Sequence, residues 1–243
     1  DLLDVKIPGR LRKTVLLTSE KFNLRFNPLD LLSGDYNLKQ INITKGSLNL
    51  QIDSLGRENF DIIKNTKEGN DSDFRLALQA VRLKQMNVRY QNMATKQDYT
   101  SHVDLISLSG ELSKNEFEML TQGDIQVLNA LSSGIPLIKN QRLEFDLSLS
   151  VDKSNGVTNI PTAVINIGGL PFEIDGSVHP DSLWFNIKSK EIQLTDAVEK
   201  LALKDSKETL NKFQGKGLLD FELEIFGGTA SAAPLNINCL LAI

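Results

Sequence analysis

The clearest signal along the chain is strict alternation of apolar and polar residues between positions 143 and 187. Leu143, Phe145, Leu147, Leu149 and Val151 alternate with Glu144, Asp146, Ser148 and Ser150, the period of a strand with one covered and one wet face. A tight turn at Gly168-Gly169 pairs Ile167 with Leu170, Ile165 with Phe172 and Ala163 with Ile174. A second turn at Pro180-Asp181 pairs Val178 with Leu183 and Ile174 with Ile187, and Phe185 follows the same alternation. The loop from Asp152 to Gly156 sets Phe145 opposite Ala163 and Leu143 opposite Ile165. A slip of one residue would turn a whole strand over, so three turns agreeing on one apolar face define a four-stranded antiparallel meander.

Upstream, Phe22, Leu24 and Phe26 alternate with Asn23 and Arg25, and Asn27-Pro28 ends that strand. Leu29 to Ser33 is expected to form a short helical turn. Lys45-Gly46 reads as a two-residue hairpin turn pairing Ile43 with Leu48 and Ile41 with Leu50. Leu38 is out of step with Ile41, which predicts a bulge near Gln40. A polar stretch from Asn65 to Asp73 reads as a domain boundary or a long loop. Phe74, Leu76, Leu78 and Ala80, then Met86, Val88 and Tyr90, continue the strand pattern. Two further strands are expected within 99–108 and 117–127.

Residues 195–213 carry the one helical period. Thr195 is placed to cap it, Asp196 suits its positive end, and Val198, Leu201 and Ala202 share a face. Asp205 with Glu208 resembles a second capping box, so this stretch reads as one helix or two. Alternation returns at Leu219, Phe221, Leu223 and Ile225, and again at Leu235, Ile237, Cys239 and Leu241.

Composition narrows the chemistry. Of 243 residues, 40% are hydrophobic and 24% charged, as in folded proteins. The 27 basic residues are dispersed among 31 acidic ones, so no basic stripe points to nucleic acid. No apolar run approaches the roughly 18 residues of a membrane-spanning helix. The single cysteine, Cys239, reads as a buried structural thiol. His102 and His179 lack neighbours at metal-ligand spacing. Gly215-Lys216-Gly217 lacks the context of a phosphate loop. Asp220, Glu222 and Glu224 alternate with apolar residues, which makes them a solvated face rather than a pair of opposed catalytic carboxylates. No nucleophile, base and orienting group can be assembled, so neither an enzyme nor a cofactor is expected. The start at Asp1 and the apolar finish at Leu240-Leu241-Ala242-Ile243 read as the ends of an excised fragment.

One stretch resembles a family. Asn27-Pro28-Leu29-Asp30-Leu31-Leu32-Ser33-Gly34 leads to Ile41-Asn42-Ile43 and Gly46-Ser47-Leu48-Asn49-Leu50. Asp53, Gly56 and Asn59 follow in a D-x-x-G-x-x-N arrangement, then Phe60-Asp61-Ile62-Ile63. This is similar to the N-terminal region of AsmA-family envelope proteins, TamB among their relatives. Asp53 and Gly56 suit a turn, and Asn59 is placed to bond local backbone or to cap a short helix over 60–64. The resemblance implies an inner-membrane anchor ahead of this sequence and a body in the periplasm of a double-membraned bacterium. It also implies an elongated, curved sheet whose apolar groove conducts phospholipid toward the outer membrane.

The expected fold is therefore mainly β with minor α: an antiparallel meander with one apolar face, divided softly into 1–68 and 69–243. The expected lipid-facing residues are Leu143, Phe145, Leu147, Ile165, Ile167, Leu170, Phe172, Ile174, Val178, Leu183, Phe185 and Ile187. The expected partners are phospholipid or another acyl-chain lipid, the inner membrane, and envelope proteins. The competing reading is an envelope scaffold that offers sheet edges to outer-membrane proteins.

Overall fold

A computed structural model describes residues 2–11, 14–26, 38–60, 76–112, 116–133, 135–152, 154–201, 217–228 and 234–242. These are almost wholly strand: β1 (Leu2–Pro8), β2 (Val15–Phe26), β3 (Leu38–Ile52), β4 (Leu76–Asn92), β5 (Gln97–Leu112), β6 (Glu116–Ser132), β7 (Ile135–Asp152), β8 (Val157–Ile167), β9 (Leu170–Val178), β10 (Ser182–Gln193), β11 (Leu218–Gly228) and β12 (Leu235–Ala242). The described residues contain one helix, α1 (Leu194–Leu201). The protein is mainly β with minor α. It forms two compact units, Asp1–Leu143 and Glu144–Ile243, and β7 crosses the division. Within each unit the strands lie side by side in sequence order, β1 to β6 in the first and β8 to β12 in the second. The division expected after residue 68 falls between β3 and β4, which pair directly inside the first unit.

The strands expected at 99–108 and 117–127 are the inner parts of β5 and β6. The bulge expected near Gln40 is present, because Arg25 pairs with Gln40 and Phe26 with Leu38, leaving Lys39 over. The short helical turn expected at 29–33 lies outside the described residues.

The hairpin expected at Lys45-Gly46 does not form. β3 runs straight through it, pairing antiparallel with β2 (Ile43 with Phe22, Leu48 with Leu17) and parallel with β4 (Ile43 with Leu83, Leu48 with Val88). Lys45 instead takes a left-handed backbone, φ 54°, inside a continuous strand. The same conformation recurs at Asp4 in β1 and Gln85 in β4. Across this line the ladders skip one pair, from Leu3–Lys21 to Val5–Ser19, from Lys21–Thr44 to Ser19–Gly46, and from Lys84–Leu105 to Met86–Val103.

One skipped residue reverses the apolar alternation, so Ile41 and Ile43 before the line and Leu48 and Leu50 beyond it occupy the same face. All four pack in one cluster with Leu17, Phe22, Leu83, Met86, Val88, Val103 and Ile106. At its centre Met86 is fully buried. A tight hairpin leaves the same five-residue spacing between Ile43 and Leu48, which is why the two cannot be told apart from spacing alone. Gly46 is required for close approach: a side chain there would collide with the Thr18 carbonyl of β2.

Candidate functional site

The apolar face of the second unit is where the expected lipid-facing residues gather. β8 and β9 pair Ile167 with Leu170, Ile165 with Phe172 and Ala163 with Ile174, as the Gly168-Gly169 turn requires. β9 and β10 pair Val178 with Leu183 and Ile174 with Ile187. The turn between them is closed by the His179 amide donating to the Ser182 carbonyl at 2.7 Å. The Asp152 loop is held by its carboxylate, which accepts from the amides of Ser154 and Asn155 at 2.9 and 3.1 Å.

Cover over this face is graded. Leu170 is 4% exposed, Phe172 7% and Ile192 4%, and they form one cluster with Ile167, Ile187, Phe221 and Ala197 of α1 at its rim. The Phe172 and Phe221 rings meet edge to face at 6.5 Å. On the same face Ile165, Ile174, Val178, Leu183 and Phe185 are half-buried, and Ala163, opposite Ile174, is buried. In β7, Phe145 and Leu147 are half-buried while Glu144 and Asp146 are exposed; Leu143, also half-buried, belongs to the first unit. Three features extend the face beyond the sequence prediction. Phe185 pairs with Ile225, which pairs with Ile237, and Ile187 pairs with Leu223, which pairs with Cys239. Gly176 lies opposite Phe185, whose ring occupies the place a side chain at 176 would take. The alternation of β11 and β12 was visible in the sequence, but their register against β10 was not, because a long connection intervenes.

Cys239 corrects one expectation. It is exposed, as are all eight residues of β12. Alternation assigns a residue to a face but does not say what covers it, and among the described residues β12 pairs only with β11.

α1 begins at Leu194, one residue ahead of the expected cap, so Thr195 sits within its first turn. Asp196 lies in that turn and pairs with Lys200 at 3.4 Å. The expected continuation from 202 to 213 lies outside the described residues.

The opposite face of the second unit is polar. Trp184 Nε1 and Asn238 Nδ2 donate to the two oxygens of Glu224 at 3.0 and 2.9 Å, which hold that carboxyl below its ordinary range. Glu222 pairs with Lys188 at 3.2 Å. Asp220 accepts from the Glu191 amide at 2.8 Å. These acids are a hydrogen-bonded outer face, as the alternation predicted.

The Asp-Gly-Asn motif of the first unit is a structural knot. The Asp53 carboxylate accepts from the amides of Leu55 and Arg57, both at 2.9 Å, and from Arg57 Nε at 2.7 Å. The Arg57 amide first, then its side chain, lowers the Asp53 pKa. Gly56 has φ 76°, the left-handed turn position that favours glycine. Asn59 is fully buried. Its Oδ1 accepts from the Gln51 amide and its Nδ2 donates to the Asn49 carbonyl, each at 2.8 Å. The β2 ladder ends at Leu17–Leu48, so on that side of β3 the Asn59 side-chain amide takes the place of a ladder peptide. Its own carbonyl receives the Arg10 amide at 2.8 Å, tying in the β1–β2 loop. Asn59 thus bonds local backbone; the helix it was also placed to cap, over 60–64, lies outside the described residues except for Phe60.

Other candidate chemistry is dispersed. His102 Nδ1 lies 2.9 Å from Asn87 Oδ1, and His179 is exposed in its turn. Among the described residues no group of three or more His, Cys, Asp or Glu could hold a metal ion, and no helix is long and apolar enough to cross a membrane. A depression of about 580 Å³, lined by Asp4, Lys6, Glu20, Lys45 and Gln85 among others, follows the kinked line of the first unit. Comparison with family models, with curated proteins and with solved structures finds no match.

Proposed function

We propose that this chain is part of an AsmA-like envelope protein that binds or conducts phospholipid, without catalysis, along the apolar face of its second unit. In this reading it works in the periplasm, anchored to the inner membrane, in outer-membrane biogenesis. The observation that carries the reading is the half-buried strip of Ile174, Val178, Leu183 and Phe185, backed by the charged outer face of the same strands. Apolar side chains left partly accessible in a row gain free energy, about 25 cal/mol per Å² covered, when an apolar ligand covers them. Ile225 and Ile237 continue the strip across β11 and β12. The knot around Asp53, Gly56 and Asn59 supports the family resemblance as a structural motif.

The test is capture of a photo-crosslinkable phospholipid from vesicles of phosphatidylethanolamine and phosphatidylglycerol. The parent chain is expected to capture it. The Phe185→Gln variant is expected to retain its fold and lose most of the capture. Equal capture by parent and variant contradicts the assignment of the site.

The exposed apolar side chains of β12 (Leu235, Ile237 and Leu241) favour a second reading, a scaffold that receives a strand from an outer-membrane protein. Pull-down of such a protein that is abolished by proline at Asn238, with lipid capture absent, supports that reading over the first.

A further inference from the structure

We propose that the outer face of the second unit carries a binding site for a neutral glycan, with the Trp184 ring as its stacking platform. The proposal is independent of the lipid-binding reading, because it concerns the opposite face of the same strands. It starts from the strand pairing. Residues directly opposite one another in neighbouring antiparallel strands share a face, so β8 to β12 set out a row Asn159–Ser177–Trp184–Phe226–Asn236. Two residues along, a second row runs Asp175–Asn186–Glu224–Asn238 from β9 to β12. A third runs Val164–Glu173–Lys188–Glu222–Leu240. Two aromatic side chains thus stand next to each other, flanked by amides, a hydroxyl and carboxylates.

Trp184 is 37% exposed, and a large aromatic left in water on an otherwise polar face is the departure that calls for a cause. Its indole Nε1 donates to Glu224 Oε1 at 3.0 Å, while Asn238 Nδ2 donates to Glu224 Oε2 at 2.9 Å. The one polar atom of the indole is therefore engaged within the protein, and the bond fixes its orientation. What remains for a ligand is the apolar surface of the ring. The same two bonds, Trp184 first and Asn238 second, keep the Glu224 carboxyl below its ordinary range, so the acceptor that holds the indole stays ionised at neutral pH.

The surroundings select the ligand. The three rows hold Glu173, Asp175, Glu222 and Glu224 against Lys188 alone. That excess of negative charge opposes phosphate, sulfate and carboxylate groups, so it disfavours nucleic acid even though bases also stack on aromatic rings. The matching ligand is uncharged, has a flat apolar surface to lie on the ring, and carries hydroxyls at its edge for the amides and carboxylates. A pyranose with equatorial hydroxyls has this form: its C–H bonds project from the two faces and its hydroxyls lie round the rim. Neighbouring strands stand roughly 4.8 Å apart, and rows two residues apart along a strand about 6.6 Å. A sugar seated on Trp184 therefore has Phe226 one strand away for the next ring of the chain. Its hydroxyls face Ser177 in the same row and Asp175 and Asn186 in the next.

The experiment uses the full chain and two neutral probes, the β-linked hexasaccharides of glucose and of N-acetylglucosamine, with a sulfated glycan as the charged comparison. Trp184 is the single tryptophan, so its fluorescence reads the site itself. A saturable change in emission, with protection from acrylamide quenching, is expected with at least one neutral probe and not with the sulfated one. By calorimetry, Trp184→Ala is expected to weaken that binding by at least about tenfold while the variant melts close to the parent. Absence of saturable binding of either neutral probe, at millimolar concentration, by the folded parent overturns the site. So does binding that a folded Trp184→Ala variant leaves intact, or a preference for the sulfated glycan. Should Trp184→Ala fail to fold, protection of Trp184 from acrylamide in the parent alone decides.

Discussion

Replacing Phe172 and Phe185 separately by glutamine should divide the apolar face of the second unit into a core and an accessible strip. Phe172 is 7% exposed and its ring meets Phe221 edge to face. A phenylalanine buries on the order of 150–250 Å², which at about 25 cal/mol per Å² corresponds to about 4–6 kcal/mol. A compact unfolded chain already hides part of that area, bringing the figure to about 3–4 kcal/mol. The glutamine stem recovers some of it, while an amide buried without partners costs about 1–3 kcal/mol. Phe172→Gln is therefore expected to destabilise by about 3–5 kcal/mol. Phe185 is half-buried over Gly176, and its glutamine can turn to water, so a loss of about 1–2 kcal/mol is expected. Trp184 is the single tryptophan and stands in β10, so its fluorescence in a denaturant titration reports this unit directly. Equal losses for the two variants would refute the division, whichever way lipid capture turns out.

Asn59→Ala leaves the Gln51 amide and the Asn49 carbonyl unpaired in a buried place, so a loss of about 2–4 kcal/mol is expected by denaturant unfolding; a loss below 1 kcal/mol would contradict the knot. Lys45→Gly removes the strain of a left-handed residue and is expected to be neutral or to stabilise by about 1 kcal/mol. Gly46→Ala should destabilise strongly through its collision with the Thr18 carbonyl, and a harmless Gly46→Ala would contradict the continuous strand. Asp53 has a folded pKa below its unfolded value, so its contribution is present above the unfolded pKa and is lost as pH falls through the folded one. Asp53→Asn should flatten that acid-side dependence in stability measured against pH, and an unchanged profile would contradict the assignment.

How far the sequence could be read follows from what each pattern contains. The β8–β9–β10 registers were legible because two short turns and one face had to agree at once. Lys45-Gly46 was misread because a strand kink and a tight hairpin impose the same apolar spacing, and only the partner strands distinguish them. The parallel pairing of β3 with β4 left no local mark, since parallel neighbours are set by a long crossover. Asp53, Gly56 and Asn59 were legible as a turn, but the bonds from Asn59 to Asn49 and Gln51 span ten and eight positions that no local rule connects. In the second unit the sequence named the apolar face. It could not show that Ala197 packs against Leu170, Phe172 and Ile192, because alternation along the strands says nothing of what lies over them.

Organic extraction of the purified, folded chain, followed by mass spectrometry of the extract, tests the central claim most directly. Phospholipid released from the parent chain, and sharply reduced from Phe185→Gln purified in parallel, is the predicted result. A folded parent chain that yields no lipid, and takes none up from phosphatidylethanolamine and phosphatidylglycerol vesicles, would contradict it.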